Sequence, residues 1–449
     1  MLKLLKNCSV YAPKYAGKKD ILIMGERIHA VADDLSAWQA APEIEVYDIN
    51  GAAVCPGIVD THVHITGGGG EQGPVSRTPE IRLSELTLNG VTTVVSPLGT
   101  DGISRSLENL LFKCRALEHY GLTCRIVTGN YRYPSPTLTG DVARDIALIG
   151  EMIGVKIAIS DHRGSNVTWQ ELARLGTEVR VSSMLSGKKG YVIIHVGSGR
   201  DRLKPLFDAV ENSELPPDTF LPTHCCRTAE LISDAVKFNK MGGTADFTAD
   251  TVESENGTAA AVYSALQQGA DPARITMSSD ACGSQPKFDA NGNCTGITYT
   301  TPETLLCELR RLKEIYGVPF ETALAFFTEN PARVAGFAGM LVATLGTILP
   351  PMLILSAVSL FYHAFAANRY VALALKGMQA GVAAVILDVV CNLGGPILRQ
   401  RSPLSLAVMA AAFVASFFFN VNVVFIILAA ALVGVGQALR RRRRGEAQP

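Results

Sequence analysis

At 449 residues, 48% of them apolar, the chain is long enough for two or three domains with large buried cores. The charge total of zero excludes a generally basic nucleic-acid binder, and it conceals a division. From Met340 onward nine Lys or Arg stand against Asp388 and Glu446, about +7, whereas the rest carries 32 basic and 39 acidic residues, about −7.

Ten cysteines lack the spacing of a zinc knuckle or disulfide framework, and nine lie in the acidic half, which suits a reducing compartment. The opening MLKLLKNCSVYAPKYAGKKD has too short an apolar core for a secretory signal, so the first half is expected in the cytoplasm.

Residues 1–56 alternate short β-type runs (DILIMG, RIHAVA, EIEVYDI) with Gly and charged turns, which predicts a small antiparallel sheet, part of a β-sandwich. From residue 57 to 337 apolar runs recur at IVDTHVHI, VTTVVS, RIVTGNY, VKIAIS, YVIIHVG, FLPTHC, TADFTAD and RITMSSD, separated by segments of helical spacing such as RSLENLLFKCRALEHY. Eight strands in βα alternation predict an α/β fold, a (β/α)₈ TIM-type barrel, closed by one last helix over PFETALAFFTENPARVAGF.

Residues 338–439 change character. Leu341–Phe361 is free of charge, Val371–Cys391 is apolar except for Lys376 and Asp388, and Leu404–Leu439 runs 36 residues without a charge. The last stretch is roughly 54 Å as helix, enough for two short spans if Asn420-Val-Asn422 turns, so three or four transmembrane helices are predicted. With four spans and a cytoplasmic start, Arg399, Arg401 and the basic tail (residues 440–449, with Arg440–Arg444) fall inside, as the positive-inside tendency expects. The predicted location is therefore the inner membrane, multi-pass through residues 341–439, with the catalytic domain in the cytoplasm.

The chemistry sits at the strand ends. His62 and His64 form an H-x-H pair, both rings on one strand face; alone, such a pair is often two satisfied polar groups. His195, His224 and Asp280 close three further strands, and Lys156 lies in VKIAIS, all where a barrel's C-terminal face gathers catalytic groups. Four His, one Asp and a buried Lys exceed the needs of one ion. A neutral Lys can take up carbon dioxide as a carbamate and bridge two metals, or it can reach to the barrel mouth for an ion pair. Cys225 and Cys226 beside His224 read as packing residues.

PGIVDTHVH, the strand-end His195, His224 and Asp280, and NPARVAGF together resemble the amidohydrolase superfamily. HVHITGGGGEQGPVSRTPE, GNYRYPSPTLTGD, VKIAISDHRGS, HVGSG, THCCR, GGTADFTADTVESENGT and SSDACGSQPKFD resemble the isoaspartyl dipeptidases within it, almost continuously over residues 1–337. The resemblance implies a zinc-dependent β-aspartyl dipeptidase: His62, His64 and Asp280 on one Zn²⁺, His195 and His224 on the other, and carboxylated Lys156 with a hydroxide as bridges. Asp280 would move the proton and Tyr131 would stabilise the oxyanion. Glu71 would take the substrate ammonium, Arg163 and Arg227 its carboxylates, and Gly69, Thr100 and Ser284 would add further contacts. Other amidohydrolases acting on cyclic amides are the enzymatic runner-up.

Such enzymes are expected to complete their sandwich with strands after the last barrel helix and to form homo-oligomers; here GFAG runs into LVATLG, which leaves the first sheet with an uncovered face. The tail, LPPMLILSAVSLFYHAFAANRYVALALKGMQAGVAAVILDVV and FFFNVNVVFIILAAALVG, resembles part of a chromate transporter module. Competing readings are an anion-transporter remnant carrying a passenger barrel and a non-functional gene fusion.

Overall fold

A computed structural model describes residues 2–12, 14–25, 27–249, 257–288 and 294–336. The predicted spans and the basic tail lie outside these residues, and among the described residues no helix is long and apolar enough to cross a membrane.

The chain opens with β1 (Leu2–Tyr11), β2 (Tyr15–Met24), β3 (Arg27–Ala32), β4 (Ile44–Asp48) and β5 (Ala53–Val54) in one sheet of order β3-β2-β1-β4, with β5 also on β1. The sheet is mixed rather than antiparallel. β2 pairs antiparallel with β1 and β3, but β4 and β5 run parallel to β1. Residues 33–43, with a 3₁₀ turn at Ser36–Ala40, form a crossover long enough to return the chain in the same direction. Among the described residues Ile28 is 66% exposed and Val31, Val46 and Tyr47 are nearly half exposed, which places apolar surface on this sheet.

All eight predicted barrel runs form strands: β6 (Ile58–Asp60), β7 (Val91–Ser96), β8 (Thr123–Gly129), β9 (Met152–Ile159), β10 (Tyr191–Val196), β11 (Phe220–Thr223), β12 (Ala245–Thr248) and β13 (Ile275–Ser278). β6 to β11 make a half-barrel of six parallel strands, and β12 pairs parallel with β13. Backbone bonds continue the ladder: Cys225 N donates to Asp246 O at 3.1 Å, Asp280 N to His62 O at 2.9 Å and His64 N to Ala281 O at 2.9 Å.

Helices follow the strands: α1 (Leu83–Thr87), α2 (Leu107–His119), α3 (Val142–Leu148), α4 (Trp169–Ser186), α5 (Lys204–Glu211), α6 (Ala229–Lys240), α7 (Gly257–Gln267) and α8 (Glu303–Glu314). Alternation on β10 sets the layers. Tyr191 and Ile193 join an inner cluster with Val95, Val127 and Leu221, while Val192, Ile194 and Val196 pack outward with Leu172, Leu175 and Val179 of α4.

The single closing helix expected over 319–337 is two short ones, α9 (Phe320–Ala325) and α10 (Glu329–Val334). The carbonyls between them are diverted to strands: Phe326 O accepts from Met277 N at 3.0 Å and Phe327 O from Val59 N at 2.9 Å. A hairpin that the sequence did not suggest, β14 (Gln285–Phe288) with β15 (Cys294–Thr298), follows the last barrel strand.

Candidate active site

The strand ends converge on a cleft of about 750 Å³ lined by His64, Glu71, Tyr131, Arg163, Arg227 and Asp280 among others. His224 and Asp280 hold left-handed backbone, φ 66° and 48°, a costly conformation for non-glycine residues that turns both side chains at the strand termini.

His62, His224 and Asp280 bring one ligand atom each within 4.8 Å of one another. Lys156 is wholly buried, with Nζ 2.7 Å from His62 Nε2. His64 Nε2 lies 3.1 Å from Asp280 Oδ1, close enough for attraction but without hydrogen-bond alignment, so that oxygen has no bond. His64 Nδ1 and His224 Nε2 are likewise buried without a partner. Within the cluster of His62, His224 and Asp280, the unpaired His224 Nε2 and Asp280 Oδ1 are costly unless a cation completes them, so the donor set fits a divalent metal.

The electrostatics agree. Burial, then the Lys156 charge, pushes the His62 pKa well below its usual value; burial, then Arg227, does the same for His224, so both rings are neutral. Burial brings Lys156 down to about 7 against the opposing pull of Asp280.

His195 stands apart from that group. Its ring is 4.4 Å from that of His224, but Nδ1 meets Tyr131 Oη at 2.7 Å and Nε2 meets Asp161 Oδ2 at 3.0 Å. Burial raises the Tyr131 pKa and keeps its hydroxyl protonated. Asp161 was not anticipated. Burial works against its carboxylate, but hydrogen bonds from Arg163 and His195 outweigh this and hold its pKa far below the usual range. Arg163 grips it through Nε at 2.9 Å and Nη2 at 2.8 Å, and lies over the Tyr131 ring at 5.2 Å.

Glu71 Oε1 accepts from Ser284 Oγ at 2.7 Å and from Arg163 Nη1 at 3.4 Å, and Arg227 Nη1 donates to Val196 O at 2.7 Å. Thr100 Oγ1 is buried without a partner and lines the cleft. Gly69 lines instead a neighbouring cavity of about 380 Å³ with Arg77 and Asp101; its φ is 73° and a Cβ there would stand 2.3 Å from Ser76 O. Cys225 is buried in the core and Cys226 Sγ contacts Thr248 O at 3.5 Å, both as packing residues.

Behind the histidines lie further polar residues that sequence reading passed over: Thr223, Asp246 and Thr248. Asp246 is wholly buried; burial raises its pKa to about 6 despite the hydroxyls of Ser278, Thr276 and Thr223. The signal available was the alternation in TADFTAD, where Asp246 and Thr248 share a strand face.

A β-aspartyl dipeptidase from Fervidobacterium islandicum AW-1, solved in complex with β-Asp-Leu dipeptide, is 45% identical, with a TM-score of 0.69, over 75% of this chain and 87% of that one. The chain belongs to the β-aspartyl dipeptidase family of amidohydrolases. It is thus a hydrolase of the amidohydrolase superfamily. The L-hydantoinase of Arthrobacter aurescens, 14% identical with a TM-score of 0.53 over 74% of this chain and 82% of that one, shares the fold. A dihydroorotase of Staphylococcus epidermidis is 31% identical over 109 residues, 24% of each protein, so the match spans about a quarter of that relative's length.

The chromate transporter family model matches residues 318–435. Its first part overlaps the hydrolase fold: Phe326 and Phe327 are buried and bonded to β13 and β6.

Proposed function

We propose that the chain is a zinc-dependent dipeptidase that hydrolyses isoaspartyl dipeptides. The observation that carries this reading is the Lys156, His62, His224 and Asp280 cluster beside a cleft whose wall bears the cations Arg163 and Arg227 and the anion Glu71, the other anion there, Asp161, being taken up by Arg163 and His195. An isoaspartyl dipeptide has one ammonium and two carboxylates. A cyclic amide has no such set of charges, and the dihydroorotase match covers too little of the chain to favour one.

His62, His64, His195, His224, Asp280 and Lys156 as its carbamate would hold two divalent ions. Bound there, the ions would lower the pKa of a water and polarise the scissile carbonyl. Imidazole, carboxylate and carbamate suit zinc. Glu71 takes the substrate ammonium and Arg163 and Arg227 its carboxylates, which fixes the amide over Asp280, while Thr100 and Ser284 complete the cradle and Gly69 holds the turn that carries Glu71. Asp280 takes the water's proton and returns it to the leaving amine. Tyr131, kept protonated by burial, donates to the carbonyl oxygen as it becomes an oxyanion.

Around the site, residues 57–337 form a closed eight-stranded barrel and residues 1–56 half of a sandwich. The chromate transporter match supports membrane tethering through residues 341–439, with the barrel on the cytoplasmic side. The same match favours a second reading, an anion transporter carrying a passenger hydrolase.

The test is hydrolysis of isoaspartyl-leucine, against α-aspartyl-leucine, by detergent-solubilised full-length protein given zinc and bicarbonate. Cleavage of the first alone is expected. Folded, metal-loaded protein that cleaves neither would sink the peptidase reading, and chromate uptake into vesicles would then support the transporter.

Two further outcomes follow from the wall of charges. Tyr131→Phe should lower kcat about a hundredfold with little change in KM, measured at saturating substrate. Succinyl-leucine, which lacks the ammonium, should react with a kcat/KM about thirtyfold lower, the worth of one charged hydrogen bond. Glu71→Gln should erase that difference; if it survives the substitution, the ammonium is held elsewhere.

A further inference from the structure

Both imidazoles of the central cluster rest their Nδ1 on a threonine. His62 Nδ1 lies 3.1 Å from Thr223 Oγ1 and His224 Nδ1 lies 2.7 Å from Thr248 Oγ1. The two hydroxyls are 3.3 Å apart, and Thr223 Oγ1 is 2.9 Å from Asp246 Oδ2. Thr276 and Ser278 donate to the same carboxylate at 2.7 and 2.6 Å.

With each contact a hydrogen bond and Asp246 ionised, counting protons gives every direction. A hydroxyl has one proton to give and two lone pairs to receive, and an ionised carboxylate can only receive. Thr223 therefore spends its proton on Asp246. At the contact between the threonines, Thr248 must then be the donor, which leaves Thr248 without a proton for His224. Each histidine is consequently the donor at Nδ1, and each Nε2 keeps its lone pair. Those are the atoms that face Lys156 and Asp280: His62 Nε2 is 2.7 Å from Lys156 Nζ, and His224 Nε2 is buried with no partner.

We infer that Asp246, through Thr223 and Thr248, is a positioning residue that sets the tautomer of two metal-ligating histidines on different strands. The inference rests on the proposed metal site. It adds that one carboxylate, contacting neither histidine, keeps both Nε2 lone pairs available. Thr223 and Asp246 are almost without exposure, so water cannot substitute for a missing Thr223 hydroxyl; Thr248 borders a cavity beside His224, so there the comparison with Thr248→Ser carries the test.

The test uses full-length protein stripped of metal and titrated with zinc against a chromogenic chelator, with the visible spectrum of the cobalt-loaded form as a second readout. Thr223→Val removes the acceptor of both branches and should weaken zinc binding by about 10- to 100-fold; Thr248→Val frees His224 alone and should cost about tenfold. Both should alter the cobalt bands. Thr223→Ser and Thr248→Ser keep the hydroxyl and should restore affinity and spectrum. If Thr223→Val does not fold, Thr248→Val decides.

Wild-type affinity and spectrum in the valine variants, with zinc uptake lost in His224→Ala, would overturn the relay alone. Wild-type protein that takes up no zinc would overturn the metal reading and the relay together.

Discussion

Lys156→Ala is expected to lower kcat/KM for isoaspartyl-leucine by about 5 kcal/mol of transition-state stabilisation, between three and four orders of magnitude, and to reduce the zinc retained after dialysis. The reason lies in the protonation of the amine. An ordinary lysine, with a pKa near 10.4, is neutral in about one molecule in 2,500 at pH 7. Burial brings Lys156 to about 7, so about half is neutral there. A neutral Nζ can attack the carbon of carbon dioxide and lose a proton to solvent. The product is a carbamate, an anionic oxygen ligand where an ammonium would repel metal.

The base form is the one that reacts, so zinc uptake by metal-stripped protein in bicarbonate should rise as the pH passes upward through 7 and fall below it. Without bicarbonate, uptake should be weaker at either pH. Lys156→Met, which keeps more of the side-chain volume than Ala, separates lost chemistry from a cavity and should be as inactive. If the Ala and Met variants retain zinc and turnover, Lys156 is a buried ion-pair partner and the bridge is wrong.

The barrel strands were legible because each is an apolar, β-branched run with a polar break, and the candidate ligands because His62, His64, His195, His224 and Asp280 stand at the ends of four of those runs. Lys156 stood out since a lysine inside VKIAIS has no solvent to reach. What escaped depends on partners distant in the chain. The first sheet is mixed because residues 33–43 cross over, which alternation within a strand cannot reveal. The closing helix splits because Val59 and Met277 claim its carbonyls. Asp161 went unnoticed beside Arg163; its contact appears once β10 brings His195 to 3.0 Å. Thr223 and Thr248 matter through hydroxyl contacts that only the folded barrel creates.

Asp280→Asn should lower kcat about a thousandfold while leaving KM within a few-fold of wild type, read from full saturation curves. The cleft offers three carboxylates, and their bonds separate their roles. Glu71 is engaged with Ser284 and Arg163, at the substrate-facing wall. Asp161 has both oxygens committed, Oδ1 to the Arg163 backbone and Nε, Oδ2 to Arg163 Nη2 and His195. Asp280 alone of the three has an oxygen that is both buried and without a hydrogen bond, 3.5 Å from His62 Nε2 and 3.1 Å from His64 Nε2. That oxygen can accept a proton next to the reacting amide without first breaking another bond. Asn fits the same φ of 48°, a region asparagine tolerates, so the backbone bond from Asp280 N to His62 O should persist. The amide cannot carry the proton, and one carboxylate ligand of the proposed metal site is exchanged for a neutral one, so the two proteins are compared at equal zinc content. In the proposed function substrate affinity rests on Glu71, Arg163 and Arg227, which the substitution does not touch. A fall in kcat of less than about tenfold would remove Asp280 as the proton carrier and shift that role to Glu71, the remaining carboxylate at the wall.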